Sequence, residues 1–231
     1  MSEVTEVEGI DALRIRAENP GWLTLSGTNT WVLGRDPAWI VDPGPALDDH
    51  IEAIAAAAEA RGGAGGIAVT HDHADHVEAV EPLRARLGGI PVGPGPLEVL
   101  PMPGHAPDHV AFVWGRACCT GDAVLGEGSV FVSEDMGGYL EALRRLRDRD
   151  LEVILPGHGP PVRDPRAKLD EYIAHRLDRE RRLVAALERG LREEEDLLDA
   201  AWDDVPAALR PAAALTLRAH VQKLREEGRA G

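Results

Sequence analysis

Six consecutive residues, His71, Asp72, His73, Ala74, Asp75 and His76, place three imidazoles and two carboxylates directly behind the β-branched run at 67–70. Zinc is held by imidazole nitrogen and carboxylate oxygen, so this run is a candidate ligand cluster, and it restricts the fold around it. In an extended segment alternate side chains share a side, which lets His71 and His73 reach one ion. Asp75 and His76 come where the chain turns toward a helical pattern through Leu83 and Leu87, so they point elsewhere and suit a second ion. Asp72, between the paired histidines, faces the opposite way and reads as a solvent or outer acid. The cluster therefore requires a strand that ends and a helix that begins within a few residues of one another.

The arrangement recurs. Three further candidate ligands each follow an apolar run and a glycine: His105 after LEVLPMPG, Asp122 after ACCTG and His158 after LEVILPG. Glycine at a strand's end permits an unusual backbone angle or a close approach, so the next side chain can be presented over the sheet edge. A histidine after Pro-Gly is, alone, more often an ordinary residue than a ligand. Four such strand ends predict four loops converging on one rim.

Residues 1–164 otherwise fit an α/β alternation. ALRIRA, TNTWVLG, AWIVDPG, EVLPMPG, HVAFVWG, ACCTG and LEVILPG read as strands, and ALDDHIEAIAAAAEARGG and MGGYLEALRRLRDRD as helices. Beyond Arg163 the pattern is helical: Leu169, Ile173, Leu177, Val184 and Leu187 form one apolar stripe, Gly190 ends that helix, and amphipathic segments follow near 194–202 and 215–224. Residues 165–231 read as a separate helical module. Residues 1–164 hold 12 Lys and Arg against 26 Asp and Glu, a balance of −14, whereas residues 165–231 hold 13 against 14. Cys118 and Cys119, adjacent in an apolar run, suit neither a loop-closing disulfide nor a zinc ribbon and read as buried thiols. No segment approaches the roughly 20 apolar residues of a membrane span, and the acidic start MSEVTEVEG is unlike a signal peptide. A cytoplasmic protein with no membrane partner is expected.

THDHADH, PGHAPDH, TGD and LPGHG resemble the successive motifs of the metallo-β-lactamase superfamily. The resemblance spans about residues 20 to 165 and implies an αββα sandwich with two zinc ions. It implies His71, His73 and His105 at the first zinc, Asp75, His76 and His158 at the second, and Asp122 bridging both. NPGWLTLSGTNTWVLG, VLGEGSV, LPGHGPPV and YIAHRLDRE are similar to the beta-lactamase-like protein 2 group, as is the helical, winged-helix-like C-terminal module. The chain departs from that group at Val77-Glu78 and Ala106, neither of which removes a ligand. It ends at KLREEGRAG, where a true wing would need a β-hairpin.

The resemblance implies a metallohydrolase in which Asp75 both binds metal and orients the attacking water. His109 reads as an outer partner of a ligand histidine, while His50 and His220, in helical patterns, are expected in solvent. Single-stranded RNA cleavage is the leading expectation. Because the acidic first part repels a polyanion, it relies on local cations, the two zinc ions and the helix bearing His175, Arg176, Arg179 and Arg182, with His175, Arg176 and Arg179 as the substrate-binding residues. Only 35 residues separate Asp122 from His158, too few for the large RNA-clamping insertion of several nuclease branches. The alternatives are a glyoxalase II-like hydrolase of a small ester, thioester or lactone, a persulfide dioxygenase with one iron, and a non-enzymatic nucleic-acid binder.

Overall fold

The computed structural model describes residues 2–229, which fall into two compact units. The first comprises the chain up to Pro101 with Asp108–Gly128 and Asp150–Pro165; the second comprises Met102–Pro107, Ser129–Arg149 and the chain from Arg166.

Two mixed sheets build the first unit. Strands β1 (Glu3–Glu6), β2 (Ala12–Arg16), β3 (Asn29–Leu33) and β4 (Ala38–Val41) pair antiparallel in sequence order, and β5 (Ala64–Ala68) joins β4 in parallel after helix α1 (Asp48–Glu59). In the second sheet β6 (Glu98–Pro101), β7 (Val110–Trp114) and β8 (Ala117–Gly121) pair antiparallel, and β9 (Val153–Pro156) joins β8 in parallel. Parallel neighbours end at the same side of a sheet, so the loops leaving β4 and β5 open together, as do those leaving β8 and β9.

Side chains alternate between two cores, as the strand period requires. Trp31, Leu33 and Val41 meet Phe112, Cys119 and Leu155 between the sheets. Val32, Ile40 and Ile67 point the other way, onto Ile51 and Ile54 of α1 and Leu83 of α3 (Val80–Arg86). Cys118 and Cys119 are buried in β8 and are not joined in a disulfide, as expected. The acidic sequence EVTE does not announce β1, an exposed edge strand held to β2 by its ladder and by Arg16 to Glu3 at 3.0 Å.

The second unit contains α4 (Met136–Arg147), α5 (Pro165–Glu188) beyond its first residue, α6 (Glu194–Ala201), a 3-10 turn at Ala207–Leu209 and α7 (Arg210–Glu226). Leu183, Leu197, Leu198, Trp202, Ala213 and Leu217 form its core. The stripe expected along α5 is rotated: Leu177 is 40% exposed, whereas Arg176, Arg179 and Glu180 are buried. Ionic partners explain why this is tolerated at Arg179 and Glu180. Arg179 donates to both carboxylate oxygens of Asp204, at 2.7 and 2.8 Å, and Glu180 accepts from Lys223 and Arg229, each at 2.7 Å. His220, expected in solvent, is fully buried beside Glu180. Among the described residues no strand follows α7, and no helix is long and apolar enough to cross a membrane.

Candidate metal centre

The chain leaves β5 at Ala68 and bends at Thr70 and His71, and His73, at φ −92° and ψ 141°, is the N-cap of α2 (Ala74–Val77). His71 therefore sits at a bend instead of on the extended segment expected, His73 directly before the helix, and Asp75 and His76 on the first helical turn. The ligand atoms of His71, His73 and Asp122 lie within 4.8 Å of one another, as do those of Asp75, His76 and His158. Asp122 Oδ1 joins the sets, at 3.5 Å from His76 Nε2 and 3.2 Å from His158 Nε2, and Asp75 Oδ2 lies 3.5 and 3.3 Å from the same nitrogens.

Two glycines make this convergence possible. Gly121 adopts φ +48°, and a Cβ there would come within 2.4 Å of Thr70 Oγ1. A Cβ at Gly157 would lie 2.6 Å from Asp122 Oδ1 and 2.8 Å from His76 Cε1, so a side chain there would occupy the space where the two sets meet.

Burial opposes charge on His76, yet Asp122 and Asp42 push its pKa well above the ordinary value. Burial likewise opposes charge on His158, which is nevertheless pushed up to about 9, chiefly by Asp122. The Asp122 carboxyl, also penalised by burial, is held well below its usual range by these two imidazoles. Protons on the rings thus balance the carboxylates where a cation could do so. The spacing suits a cation. Two donors about 2.1 Å from a tetrahedral zinc stand about 3.4 Å apart, close to the separations found here. Moreover, His76 Nε2 is buried and makes no hydrogen bond, although Asp75 and Asp122 oxygens each lie 3.5 Å away.

The family model described as Metallo-beta-lactamase superfamily matches residues 78–158, and that described as Beta-lactamase associated winged helix domain matches residues 194–231. Across 99% of its length the chain is 32% identical to the beta-lactamase-like protein 2 homolog of Caenorhabditis elegans, of which it covers 90%. The chain belongs to the metallo-beta-lactamase superfamily. It is 33% identical to a protein named atrochrysone carboxyl ACP thioesterase from Aspergillus chevalieri, over 76% of this chain and 65% of that protein. A beta-lactamase domain protein from Burkholderia ambifaria superposes with a TM-score of 0.80 at 19% identity, covering 98% of this chain and 88% of the other, and so shares the fold.

The remaining sequence-predicted residues are placed as follows. His105 belongs to the second unit, half-buried, with Nδ1 3.2 Å from the Phe131 carbonyl oxygen. His109 Nε2 accepts from the Asp122 backbone N–H at 3.1 Å and its ring stacks on His71 at 4.6 Å, so it supports both sets' shared carboxylate from outside. Asp72 is exposed, and its backbone N–H donates to Asp108 at 3.0 Å. Arg176 and Arg179, expected to face a substrate, are internal instead: Arg176 donates to Ser129 Oγ and the Val130 carbonyl, and Arg179 to Asp204 and the Ala201 carbonyl. His175 lies 3.3 Å from Ser129 Oγ and from Arg179 Nε, and burial with the neighbouring guanidinium groups lowers its pKa to about 4.

Sequence reasoning missed the residue that orients the centre from beneath. Asp42, just past β4, is buried and accepts from the Thr70 N–H at 2.7 Å, from Thr70 Oγ1 at 2.8 Å and from His76 Nδ1 at 3.0 Å. A carboxylate behind a ligand histidine fixes its tautomer and raises its basicity. The signal was present, since AWIVDPG is a further apolar run ending at a glycine, with the acid before the glycine instead of after it. Thr28, which donates to Asp75 Oδ2 at 3.0 Å, and Asn29, which donates to the Pro156 and Gly159 carbonyls flanking His158, carry no such signal.

Proposed function

We propose that residues 1–164 form a two-zinc hydrolase domain, with residues 165–231 as an accessory helical module, and that its substrate is a small acyl ester or thioester. The observation that carries this reading is the position of Asp122 within reach of both ligand sets. His71, His73 and, by the PGH motif, His105 would hold one ion, and Asp75, His76 and His158 the other, with Asp122 shared. When bound, such a metal pair supplies Lewis acidity and lowers the pKa of a water to about 7. Asp75, its Oδ2 steadied by the Thr28 hydroxyl, holds metal and accepts the proton of the attacking water. Cleavage of a thioester then consumes one water and yields a carboxylic acid and a thiol.

Three observations support an acyl substrate. Arg176 and Arg179 are committed to internal partners, Asp72 and Asp108 are exposed beside the ligand run, and one relative is named a thioesterase. The winged-helix match at residues 194–231 favours a second reading, single-stranded RNA cleavage at the same centre. Elemental analysis and turnover of the zinc-loaded protein on a simple thioester, a lactone, labelled RNA and duplex DNA separate these, with Asp75→Ala as control. The expected result is close to two zinc ions per chain and thioester turnover that falls about 10²–10⁴-fold in Asp75→Ala. Asp75-dependent RNA cleavage without thioester turnover would overturn the acyl reading. One tightly held iron would favour the persulfide dioxygenase.

A further inference from the structure

His50, the third residue of α1, was expected in solvent but is fully buried. Its ring spans two hydroxyl groups, with Nδ1 3.0 Å from Ser2 Oγ and Nε2 2.9 Å from Thr30 Oγ1. The Thr30 hydroxyl spends its own proton on the Asp42 carbonyl oxygen, at 2.6 Å. Thr30 Oγ1 must therefore accept from His50, which puts a proton on Nε2, and in the neutral ring that burial favours Nδ1 accepts from Ser2. Burial agrees with that state, lowering the His50 pKa to about 4. Gly44 makes room for the ring, since a Cβ there would lie 2.8 Å from Nε2.

The far end of this chain of bonds is Asp42, a non-glycine residue at φ +52°. Left-handed backbone is strained for an aspartate and persists where its surroundings over-determine it. Here the Asp42 N–H donates to Ala68, and Thr30 holds the carbonyl oxygen. In that conformation the carboxylate reaches Thr70 and His76 Nδ1, and Thr70 Oγ1 lies 2.9 Å from His71 Nδ1. One strained residue thus orients a ring in each ligand set.

We propose that Thr30 and His50 are positioning residues for the metal centre, acting through the Asp42 backbone to set how tightly His71 and His76 hold metal. The inference rests on the metal-binding reading above. Metal-free wild type, Thr30→Val, Thr30→Ser and His50→Leu are titrated with Co2+, followed by visible absorption, and with Zn2+ in competition with a chromophoric chelator; unfolding temperature is measured alongside. Thr30→Val is expected to weaken metal binding about tenfold and to change the Co2+ spectrum, with Thr30→Ser restoring both. His50→Leu is expected to act in the same direction by a smaller factor. Equal affinities and spectra for Thr30→Val and Thr30→Ser, whatever the change in unfolding temperature, overturn the proposal and leave the network a purely structural role. If His50→Leu does not fold, the two Thr30 variants decide alone. Wild-type protein taking up a single ion counts against the two-zinc reading but leaves this comparison intact, because Asp42 serves His71 as well as His76.

Discussion

Arg179 and Glu180 of α5 are about as buried as His76 and Asp122, yet the two groups are built on opposite principles. In α5 each charge meets its opposite directly: guanidinium on Asp204, carboxylate on Lys223 and Arg229. At the candidate metal centre the groups that converge include two imidazole nitrogens and two carboxylates, all of which can offer lone pairs, and they stand 3.2 to 3.5 Å apart around shared points. The first arrangement is complete without a ligand. The second can be completed by protons or by a cation, and its spacing is that of donors on one ion. Titratable residues in number therefore do not mark a site; donors of one kind directed at a common point do.

Asp122→Asn attacks the contrast where it is strongest. Losing the shared anion should lower zinc affinity about 10–100-fold and turnover by at least about 10²-fold, read by chelator competition and steady-state kinetics. Retention of both ions with normal turnover would remove Asp122 as the link between the sets. The next effect is on pH dependence. His158, pushed up to about 9, is protonated at neutral pH in metal-free protein, whereas zinc needs the neutral ring. Zinc affinity should accordingly rise about tenfold per pH unit from 7 toward 9 for each proton displaced. Competition titrations giving a flat profile across that range would show that no proton is displaced.

The α5 network should respond differently. Arg179→Ala is expected to cost about 2 kcal/mol in urea denaturation, below a fully buried pair because Asp204 is well exposed, while zinc content and kcat/KM stay unchanged. A raised KM with unaltered stability would return Arg179 to the substrate side. Smallest of all, Leu177→Lys should change stability by no more than about 0.5 kcal/mol, since that leucine faces solvent. A larger loss would restore the straight apolar stripe.

These outcomes divide along what could be read before the fold was known. The candidate ligand run 71–76 was legible because three imidazoles and two carboxylates crowd into six residues where a strand gives way to a helix. His105, Asp122 and His158 were legible as candidates because each follows an apolar run and a glycine. Asp42 shares most of that pattern and was overlooked, whereas Thr28 and Asn29 act across 47 and 127 positions of sequence, which no local period reports.

The sequence by itself determined the α/β class, the residue types of the candidate metal site and the helical character of the C-terminal module, because these follow from composition and spacing within single elements. Only the tertiary structure decided the state of individual charges. Arg176 and Arg179 were expected to face a substrate and His50 and His220 to face solvent, and all four are buried. Their partners, Val130, Asp204, Thr30 and Glu180, come from distant segments. Whether a polar side chain is a brace or a site depends on which atoms the rest of the chain brings within about 3 Å of it, and that is a property of packing.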